Sequence, residues 1–339
     1  MDARPTTEQR ELEDAAVRLV EKLGPTTVGD LDDAERTSRL DAALTQAGWR
    51  ELRTGSADEP LASGVEAVFV ARSLARGACD VAFIGPVLAH DLLRRVDSAG
   101  ASDGASRTIA VSNDLQRLAQ GSGLAIDAAG STSAIAFTAG GDQLVEFALA
   151  ASDANEGVDL TRLVTAVSAD SAADGGASLG TLSAEDLLAW EALAVTLTAA
   201  DLVGTMEGAL ALSTDYARER HQYGVPIGSF QAVQHLLAEA KTLTEGALSA
   251  TLYAAWAVDA LEPGDARAAA AVAKAYAARS ARTVCETAIQ VHGGIGNTWE
   301  CMAHVYLRRA LLSTELFGAD GKQLALLAQQ RWGSSHGLS

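Results

Sequence analysis

The chain has 339 residues, of which 48% are hydrophobic and 21% charged, a balance that is typical of a folded globular protein and excludes global disorder. With 44 acidic and 26 basic side chains its formal net charge is −18, so we expect it to repel phosphate backbones and to bind no nucleic acid. No long uncharged apolar run predicts a membrane span, and we expect no secretory signal. Three widely separated cysteines indicate buried thiols in a reducing cytoplasm.

The first hundred residues are predicted to be mostly helical. Thr6 and Gln9 have the spacing of a capping box, in which each side chain bonds the other residue's backbone N–H, so a helix should start there. Apolar side chains then recur at helical spacing in four segments, at about 6–23, 36–47, 61–77 and 85–95. We assign residues 1–104 to an N-terminal helical domain.

Short apolar or alternating segments follow, separated by Gly, Asp and Ser, as expected of a small antiparallel sheet. The predicted strands are Arg107–Val111, Gly123–Ile126, Ser133–Thr138, Leu144–Ala150 and Leu160–Val167. Residues 169–183 are rich in Ser, Ala, Gly and Asp, which predicts a linker. We assign residues 105–180 to a reduced β domain with its linker.

Long helices return after Ala184. Residues 185–217 are apolar on nearly every face, which predicts a helix of about 30 residues, about 45 Å long, in the centre of a bundle. Further helices are predicted at about 228–260, 265–291, 300–316 and 319–332. The fold class is therefore mainly α with a small central β domain, and residues 181–339 should form a four-helix bundle domain.

Three short patterns do not predict a site. Gly176–Gly180 has the G-x-S-x-G spacing of a hydrolase nucleophile, but it lies in the predicted linker rather than between a strand and a helix. Gly293–Gly296 follows a helix and lacks the last glycine of a dinucleotide fingerprint, which follows a strand. The six histidines have no metal-ligand spacing, so we predict no metal site.

Two segments have a more specific pattern. Residues 216–235 place Arg220 at the end of a long helix, where a planar guanidinium suits phosphate oxygens, and Gln231 in the first turn of the next helix. Residues 290–300 combine Gln290 with a glycine turn whose exposed N–H groups suit a nucleotide edge or a ribose. Taken singly, Arg220 could only cap its helix and the glycines could only turn the chain. Taken together, the two segments favour a nucleotide site.

These segments resemble the C-terminal helical domain of flavin-dependent acyl-CoA dehydrogenases. The run from Arg220 to Gln231 resembles the family pattern R-x-Q-F/Y-G-x-P-I-G-x-F-Q, and the run from Gln290 resembles Q-x-x-G-G-x-G. The resemblance is strong over residues 185–310 and fainter over 6–95. It implies the same order of helices, sheet and bundle, FAD as the cofactor, an acyl-CoA substrate and an electron-accepting flavoprotein as a partner.

The resemblance also implies roles for single residues. Arg220 would contact the FAD pyrophosphate across a subunit interface. The adenosine half of FAD would be contacted by Gln231, Gln290, His292, Gly293 and Gly294.

The chain lacks two features that the family resemblance would require of a complete enzyme. No T-E-P-x-x-G-S-D segment, which seats the flavin ring in the family, occurs between Phe83 and Gly141. The family places its carboxylate base at one of two positions, and this chain has Phe317 and Ala194 there. We therefore predict that the chain has no catalytic base, with the nearby Glu315 and Glu191 as fallback candidates.

This combination resembles the short, degenerate subunits of heteromeric acyl-CoA dehydrogenases. There a larger subunit supplies the base and the flavin seat, typically in a two-plus-two heterotetramer, and many act on CoA esters of steroid side chains. We predict that this chain is such a subunit of an enzyme for α,β-dehydrogenation of an acyl-CoA thioester. Two alternatives stay open, a self-sufficient homo-oligomeric dehydrogenase that uses Glu315 or Glu191, and a non-catalytic structural helical protein.

Overall fold

The computed structural model describes residues 5–56, 59–96, 105–141, 143–149, 157–168 and 178–332. Within them the α-helices of the N-terminal part are Thr7–Leu23 (α1), Ala34–Gln46 (α2), Gly64–Arg76 (α3) and Ile84–Arg95 (α4). The capping box is present, because the Thr6 hydroxyl accepts from the Gln9 N–H at 3.2 Å and the Gln9 carboxamide accepts from the Thr6 N–H at 3.0 Å. The predicted N-terminal helices are confirmed, with ends that differ by at most a few residues.

A small sheet follows the N-terminal helices. Its strands are Arg107–Val111 (β1), Gly123–Ala125 (β2), Ser133–Phe137 (β3), Leu144–Ala148 (β4), Thr165–Val167 (β5) and Ser178–Gly180 (β6). They lie in the order β5-β2-β1-β3-β4-β6. The first strand has the predicted bounds, and the next four are shorter than predicted, most of all the fifth, because residues 160–164 lie in a loop that leads into β5.

Two sheet predictions are wrong in detail. The β1–β3 pair is parallel, while every other neighbouring pair is antiparallel. β2 pairs with one edge of β1, and β3 pairs with the other edge. The connection after β2 therefore crosses from one side of β1 to the other, and β3 runs parallel to β1. In addition, residues 178–180 of the predicted linker form β6, which pairs with β4. Residues 169–177 of that linker lie outside the described residues.

The C-terminal helices are Ala184–Glu219 (α5), Gln231–Ala260 (α6), Pro263–His292 (α7), Ala303–Glu315 (α8) and Asp320–Trp332 (α9). This confirms the helical bundle, and the mainly α class with a small central sheet. The central helix α5 has 36 residues and packs against α3, α6, α7 and α8. It is apolar and long enough to cross a membrane by composition, but 78% of its most apolar window is buried inside the fold.

Two glycines let α3 and α5 pack with their backbones close together. A Cβ atom at Gly204 would lie 2.1 Å from the Arg72 carbonyl oxygen, and one at Gly208 would lie 2.3 Å from that of Arg76. The Tyr306 hydroxyl of α8 donates to the same Arg76 carbonyl at 2.8 Å, so α8 is fixed at this crossing too. The contact joins the N-terminal helices firmly to the bundle.

A buried ionic cluster ties α5 to the sheet and to α8. Asp201, 1% exposed, accepts from Arg162 at 2.6 Å, from Arg309 at 2.7 Å and from the Ser313 hydroxyl at 2.6 Å. Burial by itself raises the pKa of Asp201, but the guanidinium groups of Arg162 and Arg309 outweigh it and hold the pKa below its ordinary value. Arg309 also donates to the Cys79 carbonyl at 3.0 Å, so all three parts of the fold meet here.

Candidate functional site

One end of the bundle brings the two sequence-predicted segments together. Helix α6 turns the chain back between α5 and α7, so α5 and α7 run in the same direction and end side by side. Tyr216, in the last turn of α5, stacks on His292, the last residue of α7, with ring centroids 4.3 Å apart and an interplanar angle of 25°. We call the surface formed by residues 220–231 and 290–297 the bundle end.

A tight hairpin shapes the first half of the bundle end. Arg220 ends α5, its N–H donates to the Tyr216 carbonyl and its own carbonyl accepts from the Ile227 N–H, both at 2.8 Å. Between these bonds, strands His221–Gln222 (β7) and Val225–Pro226 (β8) pair through a turn in which Tyr223 and Gly224 have φ of 54° and 82°. Two successive positive φ values are typical of a type I′ turn. The hairpin therefore brings the start of α6 next to Arg220.

The positive groups of the bundle end are free to bind an anion. Within the described residues the exposed Arg220 side chain forms no ion pair or hydrogen bond, whereas the nearby Arg218 pairs with Asp215 at 3.1 Å. Helix α6 begins at Gln231 after Phe230, which provides no side-chain cap, and its first turn holds no acidic residue. The first N–H groups of this 30-residue helix lie at the positive end of its dipole and are therefore suited to bind an anion.

The second half of the bundle end is an open glycine turn. Gly293 has φ of 65°, in the left-handed region, and a Cβ atom at Gly293 or Gly294 would meet no heavy atom within 4 Å. Gln290 is exposed in the last turn of α7. His292 instead is buried under Tyr216, with Nδ1 at 2.7 Å from the Ala288 carbonyl, so it supports the surface from below. The structure thus brings the six predicted residues to one place and exposes all but His292.

The donor set of the bundle end fits a dinucleotide such as FAD. A guanidinium and an uncapped helix N-terminus match a diphosphate, and two carboxamides with an open glycine turn match hydroxyl groups or the edge of a base. This fit concerns only the phosphate and adenosine half of the cofactor.

Both positions predicted from the family resemblance for a base are buried in packed structure. Ala194 is fully buried in α5. Phe317, 2% exposed, packs its ring edge-to-face against the fully buried Trp190 at 5.7 Å. The Phe317 N–H donates to the Leu115 carbonyl in the β1–β2 connection at 2.7 Å. Aromatic side chains and backbone from three elements therefore fill the space around this position.

The turn that carries Phe317 is held in place by two buried polar side chains. Gln323 of α9 donates to the carbonyls of Phe317 at 2.7 Å and of Gly318 at 3.1 Å. Lys274 of α7 donates to the carbonyls of Ser313 and Leu316, the latter at 3.0 Å, and burial lowers the pKa of its ammonium to about 7. These bonds explain how the bulky Phe317 keeps a strained φ of 58°.

The fallback candidates for a base do not form an enclosed site. The Glu191 carboxylate, 33% exposed, lies 3.6 Å from Nε of the buried Arg267 and is engaged in this ion pair. Glu315 is exposed at the last residue of α8. Neither residue lines a cavity of about 1150 Å³ whose wall includes residues of segments 28–41, 80–82, 127–130 and 157–163.

Sequence reasoning missed the ionic cluster of Arg162, Asp201 and Arg309. One signal was present, since Asp201 interrupts an otherwise apolar helix, and a buried charge requires a partner. Those partners lie 39 and 108 residues away along the chain, where no local pattern points to them.

Comparison with known proteins identifies the fold and the bundle. Residues 180–331 match the family described as acyl-CoA dehydrogenase, C-terminal domain. Acyl-CoA dehydrogenase FadE34 of Mycobacterium tuberculosis (strain ATCC 25618 / H37Rv) is 42% identical over 134 residues, which cover 40% of this chain and 19% of FadE34. The matches to this and the next curated relatives span less than half of those proteins' lengths.

Two solved structures share the fold over nearly the whole chain. The structure titled "Tcur3481-Tcur3483 steroid ACAD G363A variant" has a TM-score of 0.78 at 20% identity and covers 97% of this chain and 99% of that one. The ChsE4-ChsE5 complex from Mycobacterium tuberculosis has a TM-score of 0.78 at 23% identity and covers 99% and 100%.

The chain therefore has the fold of an acyl-CoA dehydrogenase. Over residues 180–331 the chain also matches the C-terminal domain of acyl-CoA dehydrogenases.

Proposed function

We propose that this chain is the nucleotide-holding subunit of a heteromeric acyl-CoA dehydrogenase. In this proposal it binds the diphosphate and adenosine half of FAD at the bundle end, and a larger subunit supplies the flavin seat and the carboxylate base. The observation that carries the proposal is an asymmetry within one chain. The donors for a dinucleotide are exposed and unpaired at the bundle end, while Phe317 and Ala194 replace the base.

The residues of the bundle end have separate tasks. Arg220 binds phosphate oxygens through two parallel N–H donors, and the first N–H groups of α6 bind the same diphosphate at the positive end of the helix dipole. The carboxamides of Gln231 and Gln290 orient the adenosine, and His292 keeps the glycine turn in place through its stack on Tyr216. When bound, FAD supplies the flavin ring that accepts a hydride from the acyl-CoA.

A second subunit is needed because the side chains of the bundle end are exposed. Arg220, Gln231 and the 94% exposed Tyr223 all face away from the fold. A dinucleotide held only by such a surface keeps much of its area in water, so high affinity requires a second surface that covers it. A two-plus-two heterotetramer, in which each larger subunit faces one copy of this chain, meets this requirement.

The proposed substrate class is an acyl-CoA thioester, and a steroid side-chain ester is supported by the similar fold of the Tcur3481-Tcur3483 steroid enzyme. An electron-accepting flavoprotein removes the electrons. We assign residues 1–104, 105–180 and 181–339 to the three domains. We also propose a cytoplasmic location, where the buried Cys79 and Cys285, whose pKa burial raises to about 12, stay reduced.

The test is co-expression of this chain with a larger acyl-CoA dehydrogenase subunit from the same genome. We expect a colourless lone chain, and a yellow complex that dehydrogenates acyl-CoA. Arg220→Ala should raise the dissociation constant of the complex for FAD at least about tenfold, on the basis of about 1.5–3 kcal/mol for a charge-assisted bond, and so lower the flavin content when FAD is limiting. Arg218→Ala, which removes an exposed and paired arginine two residues earlier, is the matched control.

The outcomes separate the three functions. Stoichiometric flavin and full activity in the lone chain would contradict the proposal and favour the self-sufficient dehydrogenase. One observation favours Glu315 in that case, because it is exposed and forms no ion pair within the described residues. Glu315→Gln should then abolish turnover while Glu191→Gln does not. Unchanged flavin content in the Arg220→Ala complex would favour the purely structural protein.

A further inference from the structure

Helix α7 has one face that the rest of the described structure leaves at the surface. Its other faces pack against α5, α6, α8 and α9. We give the name outer stripe to five residues of this face, which follow one another every three or four positions: Asp265, Ala268, Val272, Tyr276 and Arg279. Val272 is 51% exposed and Tyr276 is 41% exposed, so an apolar centre lies between an acidic end and a basic end. The proposed function gives this face no role.

The two charged residues of the outer stripe are unpaired within the described part of the chain. Asp265 and Arg279 are exposed, and their side chains form no ion pair or hydrogen bond there. By contrast, Arg282 on the same helix pairs with Glu286 at 2.8 Å. Asp265 and Arg279 lie about 21 Å apart along the helix, so they are too distant to pair with each other. Solvent or another chain is left to supply the opposite charge for each of them.

The outer stripe is symmetric about Val272. Ala268 and Tyr276 are each four positions from Val272, and Asp265 and Arg279 are each seven positions from it. An antiparallel copy of the helix centred on Val272 therefore places Tyr276 opposite the copy's small Ala268, and Arg279 opposite the copy's Asp265. Both contacts occur twice, once in each direction. A two-fold interface between identical chains requires this kind of self-complementary surface.

Helix α6 widens the apolar centre of the same face. A Cβ atom at Gly246 would lie 2.7 Å from the Tyr276 hydroxyl, so the Tyr276 ring lies close against α6. Two turns after Gly246, Tyr253 is 45% exposed, and its ring centroid lies 5.7 Å from that of Trp256. Two adjacent helices of 30 residues, each about 45 Å long and about 10 Å wide, present roughly 900 Å². A stable interface takes about 800 Å² from each partner, so the face is large enough.

We propose that the outer stripe joins two copies of this chain through an antiparallel, two-fold contact between their α7 helices. The contact has an apolar centre around Val272 and Tyr276, with an ion pair between Asp265 and Arg279 at each end. A second copy is the partner that the pattern favours, because its charges and side-chain sizes match the same stripe in reverse. In the proposed two-plus-two assembly this contact connects the two halves, and it uses no residue of the bundle end.

The experiment measures self-association of the purified full chain by sedimentation velocity over a range of concentrations. We expect the wild type to dimerise. Asp265→Arg or Arg279→Asp places like charges opposite each other at both ends of the contact, so each should raise the dissociation constant of the dimer at least about tenfold. The double variant restores opposite charges at both ends and should recover most of the affinity. Asp14→Arg, at an exposed position of α1, is the matched control and should associate as the wild type does.

A second measurement uses the co-expressed complex with the larger subunit, so the test does not depend on the lone chain alone. The wild-type complex should have the mass of two copies of each chain. Val272→Asp brings two carboxylates together at the two-fold axis and should halve this mass. Val272 is half exposed, so its replacement leaves the packed core of the bundle intact.

A wild-type chain that is monomeric alone and present as a single copy in the complex overturns the proposal. A double variant that associates no better than the single variants also overturns it, because the two charges would then not face each other. Loss of the larger subunit from Val272→Asp would show that the larger subunit covers this face, which contradicts the proposal too. Flavin content is a separate readout, and its failure concerns only the bundle end.

Discussion

Removing the charge of Asp201 should destabilise the fold more than removing any surface charge. In Asp201→Asn, the guanidiniums of Arg162 and Arg309 stay buried, at 3% and 5% side-chain exposure, without their carboxylate. Breaking a buried pair by removing one partner costs about 3–5 kcal/mol. Because the entropy of unfolding is about 2.1 cal/mol/K per residue, each kcal/mol shifts the unfolding temperature of a chain of 339 residues by about 1.4 °C, and we expect a decrease of roughly 4–7 °C.

The assay is thermal unfolding followed by circular dichroism, with Asp215→Asn as the control. Asp215 pairs with Arg218 at 3.1 Å, but both side chains are about two-thirds exposed or more. Such a surface pair contributes at most about 1 kcal/mol, so the control should shift the unfolding temperature little. If Asp201→Asn unfolds within the error of Asp215→Asn, the cluster does not join the domains as described.

The pH dependence gives a second check on the same residue. The pKa of Asp201 is lower in the folded chain than in the unfolded chain, so the unfolded state binds more protons between the two values. The stabilisation from Asp201 is therefore complete above the ordinary carboxyl pKa and is lost as the pH falls through the folded value. Asp201→Asn should flatten the acid limb of the stability curve, and an unchanged limb would contradict this assignment.

Three further variants test other contacts described above. Phe317→Ala should lower the free energy of unfolding by about 3–5 kcal/mol in urea titrations, because it empties the space beside Trp190, whereas Leu324→Ala at a 51% exposed position should not. The folded pKa of Lys274 is about 7, so between pH 7 and the ordinary lysine pKa the unfolded chain binds more protons than the folded chain, and the stability of the wild type should rise with pH. Lys274→Met should remove this rise. A wild-type stability curve without the rise would refute the reasoning. Gly204→Ala should lower the free energy of unfolding by about 1–3 kcal/mol, because its Cβ would lie 2.1 Å from a backbone carbonyl oxygen of α3. Gly264→Ala is the control and should be tolerated, because its Cβ would meet no atom within 4 Å. Equal effects of the two variants in calorimetry would argue against the close crossing of α3 and α5.

The helices were predictable because their signals are local. The Thr6 capping box and the apolar periodicity of α5 lie within a few turns of sequence, and the observed ends agree closely with them. The sheet was less predictable, because strand pairing depends on residues far apart. Nothing local distinguishes the parallel partner of β1 from an antiparallel one, and β6 is only three residues long within a polar segment.

The bundle end was predictable for the same reason as the helices. Arg220 and Gln231 belong to one continuous motif, and Gln290 with its glycine turn belongs to another. The sequence did not reveal that His292 is buried. Its burial depends on the stack with Tyr216, which lies in another helix and 76 residues earlier in the chain. The packing of Phe317 against Trp190 and Leu115 is equally non-local, and it explains physically why the base position is closed.

The continuity of α5 has a consequence for assembly. This single helix of 36 residues carries Trp190 near its start and Arg220 directly after its end, and α7 runs alongside it. Both halves of the bundle end are therefore anchored to one stiff frame that the chain builds by itself. In the proposed complex the partner would therefore meet a surface whose geometry is already set, and assembly would be the docking of two folded bodies, without the entropy cost of ordering a loose segment.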